Sequence, residues 1–165
     1  MERDIEPGPG TLDTDSVLVR NLRLSDLDAV VKIDERILGR SRRRYFEIKL
    51  REALAVGAMK ISLAAEDEGV LAGFLLGSLY YGEFGQPEPS AVLDTIGVDP
   101  ARRDRKIGKA LVRQLVMNLR ALGIHSVRTE VAWDNFGLLA FLARQDFVPA
   151  HRLCLEMDLD RNSRR

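Results

Sequence analysis

Two patterns of apolar residues predict the β-strands of this chain. Stretches in which every second residue is apolar are typical of strands with one buried face, whereas a continuous apolar run indicates burial on both faces. Val70–Tyr81 is of the second kind, so we expect it to be a central strand. The predicted strands are Val17–Arg23, Met59–Glu66, Val70–Tyr81, Ala91–Val98, Ser126–Trp133 and a last strand from Phe147-Val148 and Leu153–Leu159.

Apolar residues three and four positions apart predict the helices. The first helix follows Ser25, a good N-cap with Asp28 three residues later, and ends at Gly39. A longer helix ends at Gly123, since glycine readily adopts the left-handed conformation that closes a helix. This longer helix is Ile107–Ala121. Two further helices are predicted at Tyr45–Ala55 and Phe136–Arg144.

Turn residues set the predicted order of the strands. Asp67-Glu68-Gly69 is a hairpin signal, and the Gly- and Pro-rich stretch Gly82–Ser90 must be a loop, so three strands run antiparallel in chain order. The strand–helix–strand segment from Ala91 to Trp133 predicts a parallel, right-handed crossover. We therefore expect one α+β domain with a mixed sheet.

Composition narrows the class of protein. The chain has 165 residues, 45% apolar and 30% charged, which suits one globular domain, predicted at residues 17–160 between an acidic N-terminal tail (1–16) and a C-terminal tail (161–165). Lys+Arg and Asp+Glu balance at 25 each, which argues against a nucleic-acid or membrane partner. With no apolar run long enough to span a bilayer, we expect a cytoplasmic protein. A single cysteine, Cys154, and two separated histidines predict no metal site.

A basic loop between a strand and a helix is the main candidate for binding chemistry. Asp99-Pro100 ends the fourth strand, and the basic stretch Arg102–Lys106 leads into the longer helix. Unpaired N–H groups and the positive end of the helix dipole make such a junction receptive to phosphate. The plainer alternative is a solvated basic loop before a surface helix.

The segment VDPARRDRKIGKAL, Val98–Leu111, resembles motif A of the GNAT superfamily, the acetyl-CoA-dependent N-acetyltransferases. Arg103, Ile107 and Gly108 fall in register with that motif. Lys106 stands where the first motif glycine usually stands. A lysine with positive φ there would be strained by about 1 kcal/mol.

A second segment, Thr129–Phe147, is similar to GNAT motif B. Glu130, which precedes Val131, matches the catalytic glutamate of the ribosomal-protein alanine N-acetyltransferases, and Asn135 matches the asparagine that contacts the cofactor. Two positions depart from the motif: Leu142 replaces the usual tyrosine and Asp146 the usual glycine.

Together the two resemblances imply the GNAT fold, with six or seven strands splayed between the two middle ones and about four flanking helices. They imply acetyl-CoA as the donor and no metal. Backbone groups exposed by the splay would hold the pantetheine arm and polarise the thioester, and Gly97 would let the cofactor approach closely. The implied cofactor surface comprises Ile96, Gly97, Val98, Arg103, Asp104, Arg105, Lys106, Ile107, Gly108, Lys109 and Asn135.

The resemblance implies acetyl transfer to a primary amine, with Glu130 as general base if partial burial raises its pKa. An ion pair between Glu130 and Arg128 is the structural alternative, and Asp94 is a second, weaker candidate base. Without the tyrosine, water, Tyr80 or Tyr81 would protonate the leaving thiolate.

Several functions stay open at this point. The acceptor is a protein N-terminus, a lysine or a small amine, and a homodimer is left open. A non-catalytic acyl-CoA-binding module of the same fold is the alternative, favoured by Leu142 and Lys106. A third interpretation uses the basic and aromatic run Arg40–Phe46 to bind RNA or an acidic partner, or to shape the acceptor site. The structural alternative is that the run forms a solvated helix start and that its aromatic residues face the core.

Overall fold

The computed structural model describes residues 17–55, 61–82, 85 and 87–159. Contacts divide the chain into two units, the first extending to Glu130 and the second beginning at Val131. The strands are β1 (Val17–Asn21), β2 (Leu63–Asp67), β3 (Val70–Tyr80), β4 (Ser90–Val98) and β5 (Val127–Arg128). The helices are α1 (Leu27–Leu38), α2 (Arg43–Ala53), α3 (Ile107–Ala121) and α4 (Phe136–Ala143), with 3₁₀ segments at Leu24–Asp26 and Pro100–Arg105.

The described strands form one mixed sheet in the order β1-β2-β3-β4-β5. β1 to β4 are successively antiparallel, and β5 is parallel to β4. The α+β class, the antiparallel meander and the parallel crossover are therefore confirmed. Five described strands take part, so the count of six or seven is not matched.

β3 is the central strand because both of its faces are covered. On one face, α1 and α2 pack through a cluster that includes Val30, Phe46 and Phe74, and the rings of Phe46 and Phe74 meet edge to face with centroids 5.5 Å apart. Successive side chains of a strand point to opposite faces. Gly73 accordingly faces α3, whose Ile107 Cγ2 would lie 2.7 Å from a Cβ at that glycine. The lack of a side chain at Gly73 lets the start of α3 lie directly on the sheet.

Most predicted turns form as expected. Glu68 and Gly69, both with positive φ, connect β2 to β3 as a two-residue hairpin loop. Gly39 and Gly123 adopt φ of 71° at the ends of α1 and α3. The predicted Ser25 cap is wrong. A 3₁₀ turn precedes α1, and the Asp26 carboxylate accepts the Arg23 N–H at 2.8 Å.

Two predicted strands differ in the structure. β5 contains only Val127–Arg128 instead of Ser126–Trp133. The last strand, expected from Phe147-Val148 and Leu153–Leu159, is absent from the described residues, and Leu153 and Leu155 are each 89% exposed. An alternating pattern allows a strand to form, but a strand also needs a neighbouring backbone to pair with. The periodicity of this segment therefore did not decide its structure.

The second unit contains α4. The Asn135 side chain accepts the Leu138 N–H at 3.2 Å and so caps the helix. At the other end, Phe147 N–H donates to Leu142 O at 3.1 Å across Asp146, which has φ 64°. This is a Schellman closure with aspartate at the position where glycine is usual.

Some expectations lie outside the described residues. They concern both tails, Met59 at the start of the second predicted strand, and part of the loop before β4. Among the described helices, none is long and apolar enough to cross a membrane.

Candidate active site

Pairing between the two parallel strands of the described sheet ends soon after it begins. β4 pairs with β5 only at Ala91–Val127 and Val92–Arg128, whereas β4 pairs with β3 along its whole length to Val98. One further contact, from Thr129 Oγ1 to Leu93 O at 2.8 Å, follows the last pair. Within the described sheet, the second half of β4 therefore has no paired strand on the β5 side.

A β-bulge at Asp94 determines which backbone groups of β4 face that open edge. Leu76 pairs with Thr95 and Gly77 with Leu93, so Asp94 is the extra residue. Beyond the bulge, Asp99 N–H donates to Ala72 O on β3 at 2.8 Å. Because the N–H groups of a strand alternate in direction, those of Ile96 and Val98 point away from β3, towards the open edge.

Gly97 has a packing partner that the sequence did not reveal. A Cβ built on Gly97 would lie 2.6 Å from the Phe74 ring and 3.4 Å from Ile37 Cδ1. The ring of Phe74 therefore occupies the space beside Gly97 on the face covered by α1 and α2. This packing already requires glycine at position 97, whether or not a cofactor approaches.

Asp99 organises the start of the basic loop. It is buried, and its carboxylate accepts the Ala101 N–H at 3.1 Å and Arg36 Nη1 at 2.8 Å. Arg36 belongs to the last turn of α1. The loop is thus tied to α1 at its first residue.

Asp67, at the end of β2, holds the middle of the loop. Its side chain is fully buried and accepts hydrogen bonds from Arg102 Nη1 and, at 3.0 Å, from Arg105 Nη1. Burial alone would raise the pKa of the Asp67 carboxyl, but the two guanidinium groups outweigh it and hold that pKa below its usual range. Two arginines of the predicted phosphate-binding loop are therefore bound to the protein itself.

The remaining cations of the loop are free in the described part of the chain. The side chains of Arg103, Lys106 and Lys109 are exposed and form no ion pair or hydrogen bond with a described residue. Asp104 is also exposed. The loop and the following helix turn thus present three uncompensated positive groups to solvent.

Lys106 adopts the conformation expected of the glycine that it replaces. Its φ is 56° and its ψ 20°, in the left-handed region. α3 begins at the next residue, and its first internal bond runs from Ala110 N–H to Lys106 O at 3.0 Å. The N–H groups of Ile107, Gly108 and Lys109 precede that bond, and no side chain caps the helix. The helix start is therefore able to donate hydrogen bonds to an anion.

Glu130 lies two residues beyond the end of β5. Its side chain is exposed and, within the described residues, makes no hydrogen bond or ion pair. The alternative in which Glu130 pairs with Arg128 is thus not seen. The partial burial that was the condition for its role as general base is also absent.

A polar cluster lies where α2 faces the bulge of β4. Tyr45 Oη and Thr95 Oγ1 are 2.8 Å apart, and Ser78 Oγ donates to Asp94 Oδ2 at 2.7 Å. Lys49 Nζ lies 3.7 Å from Asp94 Oδ1. Burial alone would lower the pKa of Lys49, but Asp94, together with Tyr45, Glu52 and Tyr80, outweighs burial and raises that pKa. Asp94 is therefore already paired with a cation.

The basic run before and within α2 is also partly engaged. Arg42 binds both carboxylate oxygens of Asp34, at 2.5 and 2.9 Å, and its guanidinium lies 5.0 Å from the Tyr45 ring centroid. Phe46 is fully buried in the core, and Arg43 pairs with Asp28 at 2.7 Å. The core position of Phe46 agrees with the structural interpretation of this run, whereas Arg42 is held by the buried Asp34 instead of being solvated.

The two remaining motif B positions lie in the second unit. Asn135 caps α4, which is a structural use of the side chain proposed to contact the cofactor. Leu142 is 4% exposed. Its side chain carries no group that can give up a proton.

Sequence reasoning missed the residues that fix the loop, because their partners are far apart along the chain. Asp67 was interpreted only as a turn residue, yet it binds Arg102, 35 positions later. Arg36 and Asp99 are 63 positions apart. A buried carboxylate needs a cation, but nothing in one sequence identifies which carboxylate is buried.

Comparison with known proteins supports the two motif resemblances. The sequence profile of the Acetyltransferase (GNAT) family matches residues 27–147. No curated protein sequence matches the chain significantly.

Solved structures with the same fold include three that differ in their described activity. A transcriptional regulator from Bacillus halodurans C-125 has a TM-score of 0.73 and 19% identity over 87% of this chain and 99% of that chain. An aminoglycoside N-acetyltransferase in complex with CoA has a TM-score of 0.72 and 17% identity over 87% and 95%. A ribosomal-protein-alanine N-acetyltransferase from Brucella melitensis biovar Abortus 2308 has a TM-score of 0.68 and 20% identity over 87% and 99%. Because these identities are 17–20%, the three comparisons show a shared fold only.

Proposed function

The chain belongs to the Acetyltransferase (GNAT) family, and from this membership we propose that it transfers acetyl from acetyl-CoA to a primary amine. The acceptor class comprises protein N-termini, lysine side chains and small amines. Two structural neighbours, an aminoglycoside N-acetyltransferase and a ribosomal-protein-alanine N-acetyltransferase, are enzymes for amine acceptors of different size. The family match spans both units of the chain, which supports one acetyltransferase domain over residues 17–160.

The observation that carries the proposal is the open edge of β4 beside the start of α3. Ile96 and Val98 direct backbone groups to the edge where pairing with β5 has ended. An extended amide-containing chain such as pantetheine can pair with such an edge as a further strand would. The uncapped N–H groups of Ile107–Lys109, together with free cations of the loop, suit the pyrophosphate.

We propose a role for each part of the predicted cofactor surface. Ile96, Gly97 and Val98 would lie along the pantetheine arm, and the backbone from Arg103 to Lys109 would surround the pyrophosphate. Arg103, Lys106 and Lys109 would supply charge directly, because Arg102 and Arg105 bind Asp67. Asn135 remains a proposed cofactor contact.

In the proposed reaction the amine attacks the thioester carbonyl directly. A C–N bond forms, the oxygen becomes negative, and the C–S bond then breaks to release CoA thiolate. Backbone N–H groups at the open edge of β4 would stabilise the oxyanion. We assign the amine proton to Glu130, directly or through water, because its exposed carboxylate has no partner among the described residues. Asp94 is the weaker candidate, since Lys49 neutralises it.

The alternative function is a non-catalytic acyl-CoA-binding module, and Leu142 is the observation that favours it. A buried leucine leaves no proton donor for the thiolate at the position where the motif has tyrosine. Lys106 does not favour this alternative, because it adopts the conformation of the motif glycine.

Two assays separate these functions. Calorimetric titration of acetyl-CoA should give saturable binding under both, whereas release of free CoA in a panel of amines and peptides occurs only with an enzyme. Binding with no turnover across the panel would favour the module. A lack of any binding at millimolar acetyl-CoA would contradict both.

A further inference from the structure

The hydrogen bonds of Asp67 connect the β2–β3 hairpin to the basic loop. Two guanidinium groups contact the Asp67 carboxylate. In addition, Arg102 Nη1 donates to the backbone O of Asp67 at 3.3 Å. Arg105 Nη1 also lies 3.3 Å from Glu68 Oε1, but Glu68 is exposed at the tip of the hairpin. Asp67, with no exposed side-chain surface, is therefore the fixed end of this connection.

The contacts of Asp67 with Arg102 and Arg105 matter because the backbone of the loop is irregular at Arg102 and at Lys106. Arg102 interrupts the 3₁₀ segment with φ −128° and ψ 21°, and Lys106 has the left-handed conformation. The conformation of Lys106 is unfavourable for a residue with a Cβ, so contacts elsewhere must hold this part of the loop in place. Asp99 fixes only its first turn through Ala101 and Arg36. Asp67 fixes the part from Arg102 to Arg105, directly before the start of α3.

Three general consequences follow from burying this carboxylate. A buried charge must be paired, so both arginines are held inward rather than left to move in solvent. The backbone that carries them is then ordered before any ligand arrives. A ligand that needs this backbone conformation binds without the entropy cost of ordering it.

From this geometry we propose that Asp67 is a positioning residue for the cofactor. It holds Arg102 and Arg105 so that the backbone from Arg103 to Lys109 is already arranged to accept the pyrophosphate. The two arginines thus act mainly through the shape of the loop, and the phosphate-facing charge comes from Arg103, Lys106 and Lys109. This inference rests on the proposed function, because it assumes that the loop binds CoA.

The test compares Asp67→Asn with Glu68→Gln in the full chain. Both substitutions remove one carboxylate that contacts Arg105, but only the first removes the buried one. If the loop of the Asp67→Asn protein adopts the binding conformation about a tenth of the time, the Kd for acetyl-CoA rises about tenfold. For Glu68→Gln we expect a Kd within about twofold of the wild type.

Enzyme kinetics distinguish positioning from a general loss of structure. In the Asp67→Asn protein the KM for acetyl-CoA should rise about tenfold, with kcat and the KM of the amine acceptor nearly unchanged. The Kd of CoA, which carries the pyrophosphate but no acetyl group, is measured in parallel. Equal rises in both KM values with a fall in kcat would indicate a merely structural role and overturn the proposal.

Hydrogen exchange provides a second measurement if Asp67→Asn is too unstable for kinetics. Asp67→Glu keeps the negative charge but moves the carboxylate by one methylene group. Its loop amides from Arg103 to Lys109 should exchange faster than in the wild type, with a Kd for acetyl-CoA raised severalfold. Unchanged exchange and unchanged affinity would overturn the proposal.

The outcomes also separate this inference from the proposed function. Wild-type protein that fails to bind acetyl-CoA contradicts both. Wild-type protein that binds, with an Asp67→Asn variant that binds equally well, contradicts only the role of Asp67. Tighter binding by the variant would also contradict it, because the released arginines would then contact phosphate better than the arranged backbone does.

Discussion

Phe74 of β3 and Gly97 of β4 are paired across the sheet, and the Phe74 ring fills the space that a side chain at position 97 would need. Phe74 is fully buried and packs against Phe46. The ring therefore has little freedom to move away. Glycine at position 97 is required by the core next to the site, not only by a ligand.

Gly97→Ala should consequently destabilise the protein by about 1–3 kcal/mol, because the new methyl group overlaps the ring of Phe74. Urea denaturation of the variant measures this change. Phe74→Leu combined with Gly97→Ala should recover part of the loss, since the smaller side chain makes room. If the two changes are additive, the overlap is not the cause.

Lys106→Gly should stabilise the protein by up to about 0.5 kcal/mol. The gain comes from removing the left-handed strain of a residue with a Cβ, partly offset by the greater chain entropy of glycine in the unfolded state. Lys106→Ala is the matched control, because it removes the charge and keeps the strain. Similar denaturation midpoints for the glycine and alanine variants would contradict this explanation.

Asp26 should make stability depend on pH in the acid range. Burial would raise the pKa of this carboxyl, but hydrogen bonds from Arg20 and from the Arg23 N–H outweigh it and hold the pKa below the ordinary value. A group with a depressed pKa in the folded state stabilises the fold above the unfolded value of about 3.9, and this stabilisation is lost as the pH falls below it.

Asp26→Asn should therefore cost about 1–3 kcal/mol at pH 7, since Arg20 loses one of its charged partners, and less at pH 3. Denaturation midpoints between pH 7 and pH 3 measure the difference. Asp28→Asn is the control, because the Asp28 side chain is 83% exposed. An Asp26→Asn curve parallel to that of the wild type would contradict the assignment.

Glu130→Gln should lower kcat about a hundredfold if this carboxylate accepts the amine proton. Since Gln is nearly the same size and Glu130 is exposed, stability and the Kd of acetyl-CoA should change little. Asp94→Asn serves for comparison and should mainly affect stability, because Lys49 then keeps only its contact with the exposed Glu52. A larger loss of kcat in Asp94→Asn than in Glu130→Gln would transfer the role to Asp94.

The positions at which the chain departs from the family motifs show how much local sequence determines. Lys106 and Asp146 both replace a motif glycine, and both have positive φ, 56° and 64°. The surrounding structure maintains these conformations even without glycine. For Asp146 the strain is small, because aspartate tolerates the left-handed region better than most residues.

The sequence by itself determined the central elements and their order: the buried β3, the β2–β3 hairpin, the long α3 and its glycine stop, and the position of the basic loop. These features depend on periodicity and turn residues, which are local properties of a chain. The tertiary structure alone decided that β5 has two residues, that Gly97 lies under Phe74, and that Arg102 and Arg105 bind Asp67. Such contacts join residues that are distant along the chain, and their energies depend on burial, which only the assembled fold creates.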